Sequence, residues 1–264
     1  MAAVDRPPCV ATRSLKPRVD DGMRLRATVA YDGTDFHGFQ RQANARSVQG
    51  ELEAALGRIC GQAVAVVGAG RTDAGVHATG QVIAFEAAWR HTLDDLRRAA
   101  NSELPEDVAV LDLEPCGPGF HPRFSARSRV YEYRVAETPT RQPLTRRYEW
   151  QIDHRLDAAA LAQASGWLVG EHDFAAFGAA PQGDSTVRTV MRADWAGAAG
   201  VWRFTIEANA FLFRMVRRIV ATLVRAGSGQ IDPDEVKDIL ASGDSRRVKG
   251  AAPACGLCLV QVNY

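Results

Sequence analysis

The densest group of residues that could do chemistry is Gly68-Ala69-Gly70-Arg71-Thr72-Asp73-Ala74-Gly75-Val76-His77. Three glycines in so short a run imply an unusual backbone path. A phosphate cradle fails on residue type. No Gly-Lys-Ser/Thr follows, the glycines at 68, 70 and 75 miss the G-x-G-x-x-G spacing, and Asp73 stands where an anion would bind. A loop that presents Asp73 beside Arg71 in a fixed orientation fits better. A neighbouring cation favours the charged form of a carboxylate, and an ionised carboxylate is what a nucleophile or an electrostatic stabiliser requires. A tight structural turn is the alternative, and His77 is read as orienting that loop.

Two basic groups could hold a polyanion near such a carboxylate. Arg214, Arg217, Arg218 and Arg225 lie mainly opposite an apolar helical stripe, just after Asn209-Ala210-Phe211-Leu212-Phe213. Arginines approached by aromatics suit a nucleic-acid cleft, where phosphate contacts and base stacking work together; a solvated helix face is the plainer reading. Phe120-His121-Pro122-Arg123-Phe124-Ser125-Ala126-Arg127-Ser128-Arg129 leads into Val130-Tyr131-Glu132-Tyr133-Arg134 and could grip a sugar-phosphate backbone. His121, before Pro122, reads as a loop hydrogen-bonder. Asp32 and Asp35 beside Gly33 read as turn formers before metal ligands. Cys255 and Cys258 form a lone C-x-x-C without the further ligands a structural zinc needs, inside a segment that reads as a strand.

The elements that must position these groups alternate between two periods. Leu25, Ala27, Val29 and Tyr31 alternate with polar residues from Arg24 onward, giving a strand. Val48, Leu52, Ala55, Leu56 and Ile59 recur at helical spacing, with Ser47 as N-cap and Gly61 as C-terminal stop. Strands follow at Ala63–Val67, Gln81–Phe85 and Val108–Leu113, with a helix from Thr92 to Asn101. The second half offers a strand over Val130–Ala136 and a helix over Leu156–Leu168. A hairpin of Val187–Trp195 and Val201–Ala208 follows, around Gly197 and Gly200. Leu212 to Val224 carries the strongest helical period. Asp232-Pro233-Asp234-Glu235 opens a short helix with a capping box, and Leu257–Val262 is the last strand. The pattern is α+β: two related αβ halves forming a continuous, mainly antiparallel sheet with helices on one face.

Composition narrows the class. The 264 residues, 46% hydrophobic and 24% charged, exclude a disordered, collagen-like or coiled-coil chain. A balance of 32 Lys+Arg against 31 Asp+Glu excludes a uniformly basic binder but leaves room for a basic cleft. Lys16, Lys237 and Lys249 are the only lysines, so the cations are nearly all arginine, which suits bidentate phosphate contacts. Five scattered cysteines make no disulfide framework. No run nears the roughly 20 apolar residues of a membrane span, and the first 22 residues lack the apolar block of a secretory leader, so a cytoplasmic protein is expected.

These residues resemble one family as an ordered set. Gly70 to His77 is similar to the motif that bears the essential aspartate in the tRNA pseudouridine synthase A family. Tyr31-Asp32-Gly33-Thr34 with Gly38-Phe39-Gln40-Arg41-Gln42 resembles its first loop. Phe120 to Ala126 with Tyr131 and Tyr133 resembles its middle block, Asn209-Ala210-Phe211 with Met215-Val216-Arg217 its third, and Gly256-Leu257 its end. The blocks span about residues 23 to 264 in the family's order. The resemblance implies the pseudouridine synthase fold and an isomerase that converts uridine to pseudouridine at positions 38–40 of the tRNA anticodon stem-loop, without cofactor or metal. It makes Asp73 the catalytic aspartate, with attack on C1′, addition to the base and a glycal route all open. It pairs Arg217 with Asp73, uses Arg71 to displace the target from its stack, and stacks Tyr131 on the flipped uracil with a possible part in the late proton transfer. Leu257 packs the other side of the base; Arg123 and Arg214, from the two basic groups above, are read as RNA contacts. The base must be flipped, because C1′ and C5 of a stacked nucleotide are inaccessible.

The expected organisation is a mobile basic arm over 1–22, read from its prolines and basic residues and without a family counterpart, an αβ domain over 23–115 with the Asp73 loop, and an αβ domain over 116–264 with Tyr131 and the basic helix. The implied partners are tRNA and a second copy of the chain, with no membrane. Phe39 stands where tryptophan is frequent in the family, Cys258 where an aromatic is, and Phe213-Arg214 where two polar residues are. The rival reading is a catalytically silent RNA-binding or tRNA-folding protein on the same scaffold.

Overall fold

The computed structural model describes residues 19–180, 183–198 and 200–264. The expected N-terminal arm therefore lies almost wholly outside the described residues. The elements run β1 (Val19–Tyr31), α1 (Val48–Cys60), β2 (Val67–Gly68), β3 (His77–Trp89), α2 (Leu93–Glu103), β4 (Val108–Pro115), β5 (Ser128–Glu137), β6 (Trp150–Ile152), α3 (Ala158–Gly166), β7 (Gly170–Asp173), β8 (Val187–Ala198), β9 (Val201–Ala208), α4 (Met215–Gly227), α5 (Glu235–Ser242) and β10 (Leu257–Asn263).

One sheet joins all ten strands in the order β4-β1-β3-β10-β5-β9-β8-β7, with β2 added on β3 and β6 on β5. Every pairing is antiparallel except β10 with β3 and β5 with β6. The register aligns apolar side chains on one face, as strand alternation requires. Leu25 opposes Phe85 and Ala27 opposes Ile83; Leu259 opposes Tyr131 and Leu257 opposes Tyr133; Tyr131 opposes Ile206 and Tyr133 opposes Phe204. These residues share one core with Leu52 and Leu56 of α1, Leu96 of α2, Leu161 of α3 and Ile219 and Leu223 of α4. The other face of β1 carries direct cross-strand ion pairs, Arg24–Glu86 at 3.2 Å and Arg26–Glu114 at 2.6 Å.

Local signals set the helices. Ser47 accepts from Gly50 N at the start of α1, and Gly61 ends it in the left-handed region at φ 66°. Thr92 and Asp95 form a reciprocal capping box on α2. At α5 only half of the expected box forms. Glu235 accepts from Asp232 N at 3.3 Å, but Asp232 Oδ1 accepts from Asp234 N at 2.9 Å and not from Glu235, so the helix starts at Glu235. The strand expected over 63–67 shrinks to Val67–Gly68, because α1 side chains take the place of a neighbouring strand: Glu53 accepts from Val66 N and Gln49 donates to Val66 O. β3 runs well beyond Gln81–Phe85; flanked by β1 and β10, it is buried almost continuously and lost its alternation. No helix among the described residues is long and apolar enough to cross a membrane.

Candidate active site

The Gly68–His77 loop leaves β2 and re-enters the sheet at the first residue of β3. Of its three glycines only Gly75 takes a left-handed backbone, at φ 77°. The loop is held from several sides. Tyr31 Oη shares a 2.8 Å hydrogen bond with Thr72 Oγ1, and Gln81 Nε2 donates to Gly70 O at 2.9 Å. Phe39 N donates to Thr72 O, and Gly75 N to Phe36 O. His77 is buried, with Nδ1 accepting from Gly33 N at 3.0 Å and Nε2 facing the carbonyls of Arg147 (2.9 Å) and Cys255 (3.1 Å). Two carbonyls at Nε2 require the proton there. The ring thus ties the first loop, the 141–149 segment and the approach to β10 to the base of the Asp73 loop.

The turn before it is stabilised by Asp32. Its Oδ1 accepts from Thr34 N and Oγ1, and its Oδ2 from Tyr148 Oη at 2.7 Å. Partial burial raises the pKa of this carboxylate, but the hydrogen bonds outweigh burial and hold it below the usual range. Turn formation, as the residues beside Gly33 suggested, is what Asp32 does.

Asp73 meets Arg217 of α4. Arg217 Nη1 donates to Asp73 Oδ2 at 2.9 Å, with side-chain exposures of 16% and 20%. Arg217 Nε donates to Ala252 O at 2.8 Å while Ala252 N donates back to Arg217 O. The guanidinium is therefore aimed by backbone on one side and by the carboxylate on the other. α4 places it there because Met215, Val216, Ile219 and Val220 bury the opposite stripe.

An open cleft of about 1190 Å³ surrounds the pair, and the seven residues expected to act in catalysis or to contact RNA line it: Asp73, Arg217, Tyr131, Arg71, Leu257, Arg123 and Arg214. Tyr131 is buried on β5 with its ring edge-on to Phe211, 5.1 Å between centroids and 86° between planes. Burial pushes its phenol well up, and Asp73 adds to the push while Arg129 opposes it. Its hydroxyl makes no hydrogen bond among the described residues. Leu257 reaches the same floor because Gly256 lets the Tyr133 ring through; a Cβ there would lie 2.6 Å from the ring. Tyr133 in turn donates to Pro253 O at 2.7 Å.

Some sequence expectations change. Of the four arginines expected on the basic helix, only Arg214, which immediately precedes α4, and Arg217 line the cleft. Arg129, grouped with the backbone-gripping loop, is buried and spent on three carbonyls: Asn209 O at 2.8 Å, Ala69 O at 3.1 Å and Arg123 O at 2.6 Å. It staples three chain segments together. His121 accepts from Arg123 N and Phe124 N through Nδ1, a loop hydrogen-bonder. Arg188 also lines the cleft, though its place in an alternating strand gave no sign of that. The lining then holds six arginines, at 71, 123, 129, 188, 214 and 217, against the single carboxylate of Asp73. In a chain of net charge +1, the lining of this cleft is strongly basic.

Comparison with known proteins gives the class of protein to which this fold and cleft belong, an isomerase acting on tRNA. The model of the tRNA pseudouridine synthase family matches residues 27–125 and 164–264. The tRNA pseudouridine synthase A of Brevibacillus brevis is 43% identical over 244 residues, covering 91% of this chain and 99% of the relative. That of Solidesulfovibrio magneticus is 44% identical over 251 residues, covering 91% of each, and that of Thermotoga sp. strain RQ2 39% over 243 residues, covering 91% and 99%. The chain belongs to the tRNA pseudouridine synthase family, and its activity is the isomerisation of uridine to pseudouridine in tRNA.

Proposed function

We propose that the chain isomerises uridines 38–40 in the anticodon stem-loop of tRNA, as a cytoplasmic homodimer, with Asp73 as the catalytic carboxylate. The observation that carries this reading is the Asp73–Arg217 pair on the floor of an arginine-lined cleft. A partly desolvated carboxylate repels phosphate and weakens a pure binder, so its presence there favours chemistry over silent binding. The net change is internal. The C1′–N1 bond breaks, the uracil turns, C1′–C5 forms, the C5 proton leaves to solvent and N1 gains one. Arg217 holds the Asp73 carboxylate toward the cleft. Arg71, exposed and without a hydrogen bond or ion pair among the described residues, is free to fill the stack the uridine leaves. Tyr131 and Leu257 are diagonal neighbours on β5 and β10, with Cα atoms about 7–8 Å apart, enough to admit a flat base between side chains. The raised phenol keeps Tyr131 neutral, which suits stacking and argues against a phenolate base.

The test is release of tritium from C5-labelled uridine in unmodified tRNA, with Asp73→Ala as control and stem-loops bearing uridine at a single one of the three positions. Release by the wild type alone supports the reading. Binding without release would transfer it to the silent scaffold.

A further inference from the structure

The two most exposed aromatic rings of the described residues, Phe124 at 71% and Phe213 at 54%, both line the same cleft. Each lies under a guanidinium: the Arg123 Cζ is 5.5 Å from the Phe124 centroid, and the Arg214 Cζ is 4.9 Å from that of Phe213. Neither arginine side chain has a hydrogen bond or ion pair among the described residues. Both rings are held out by fixed backbone. His121 Nδ1 accepts from the amides of Arg123 and Phe124. Phe213 N donates to Ala179 O at 3.0 Å in an isolated bridge. Arg214, immediately after, is the one non-glycine among the described residues with positive φ, at 58°. A backbone conformation that disfavours side chains persists only where the surroundings enforce it, and it clusters at ligand clamps.

An exposed ring beside an arginine whose side chain has no hydrogen bond or ion pair among the described residues, at the mouth of a cleft with one carboxylate, matches single-stranded nucleic acid in charge and in its flat faces, even though the Phe124 ring also packs against the His121 ring at 4.3 Å between centroids. Each base offers a flat face to the ring and its phosphate a charge to the guanidinium. Extruding a uridine also strips one face from each of its stacking neighbours. We propose that Phe213–Arg214 and Phe124–Arg123 are two stacking platforms that take unpaired bases next to the extruded uridine. The inference rests on the reading that this cleft isomerises a nucleotide of an RNA stem-loop.

The test is a binding cycle. Wild type, Phe213→Ala, Phe213→Trp, Phe124→Ala and Phe124→Trp are titrated with a tRNA anticodon stem-loop and with the same stem-loop made abasic at single positions flanking the target uridine. Phe213→Ala and Phe124→Ala each weaken binding to the intact RNA by about tenfold, and the loss vanishes against one particular abasic RNA, a different one for each ring. Both tryptophan variants keep wild-type affinity. Because the rings are exposed, melting temperatures stay unchanged. Equal losses on intact and abasic RNA, or no loss at all, overturn the platforms, as does a change of oligomeric state in place of RNA affinity. Tritium release by the wild type is measured alongside: its absence would sink the catalytic reading, whereas base-specific coupling in the cycle is read from binding alone.

Discussion

The floor and the mouth of the cleft are built from the same residue types with opposite logic. On the floor every charged group is committed. Arg217 is shared between Asp73 and the Ala252 carbonyl, and Arg129 is consumed by three carbonyls. At the mouth Arg71, Arg123 and Arg214 have no such partner among the described residues. Committed groups are preorganised, which is where electrostatic catalysis gains its advantage. Uncommitted ones adapt to a long, flexible polyanion and give affinity that depends on salt. The arginine count therefore says little; the partners of each arginine assign its role.

The sharpest way to break this comparison is Asp73→Asn. Turnover falls on the order of 10³-fold or more, while tRNA affinity in filter binding stays within a few-fold; residual activity within tenfold of wild type removes Asp73 from the reaction. Arg217→Ala comes next, with a turnover loss of about 10²-fold and a stability loss of about 1–3 kcal/mol in urea titration, because Ala252 O and Asp73 lose their donor together. Arg217→Lys restores one of those two bonds and lands between. For the mouth, Arg71→Ala or Arg123→Ala lowers the slope of log affinity against log salt by about 0.7–0.9 each, and Arg129→Ala instead lowers the melting temperature. Equal behaviour of Arg123 and Arg129 would erase the distinction between floor and mouth. The smallest effect is at Asp32. Its folded-state value is depressed, so its stabilisation is present above about pH 4 and lost as pH falls through the folded value. Asp32→Asn therefore costs about 1 kcal/mol at neutral pH, and the gap to wild type closes on acidification in pH-resolved thermal melts.

Much of the floor was legible because its signals are local. The Asp73 loop, the capped helices α1 and α2, and the hairpin of β8 and β9 are each specified within a dozen residues, by cap chemistry and period. The partnership of Asp73 with Arg217 spans 144 residues, and no periodic pattern encodes it; only the family resemblance pointed there. β6 and β7, three and four residues long, are too short to show a period. Arg129 was misjudged because a strand pattern says which face a side chain takes and not what waits for it there.

The placement of β10 has a consequence for synthesis. The strand lies between β3 and β5, in parallel with one and antiparallel with the other, and apart from it the sheet has no strand pairing that joins β1–β4 to β5–β9. It is also the last of the sheet's strands to leave the ribosome. While residues 257–263 remain in the exit tunnel, a nascent chain holds two sheets with bare facing edges, the hazard that unpaired strands carry. Leu257, which lines the cleft, has not yet arrived either. The same strand thus closes the sheet and supplies Leu257 to the lining of the cleft.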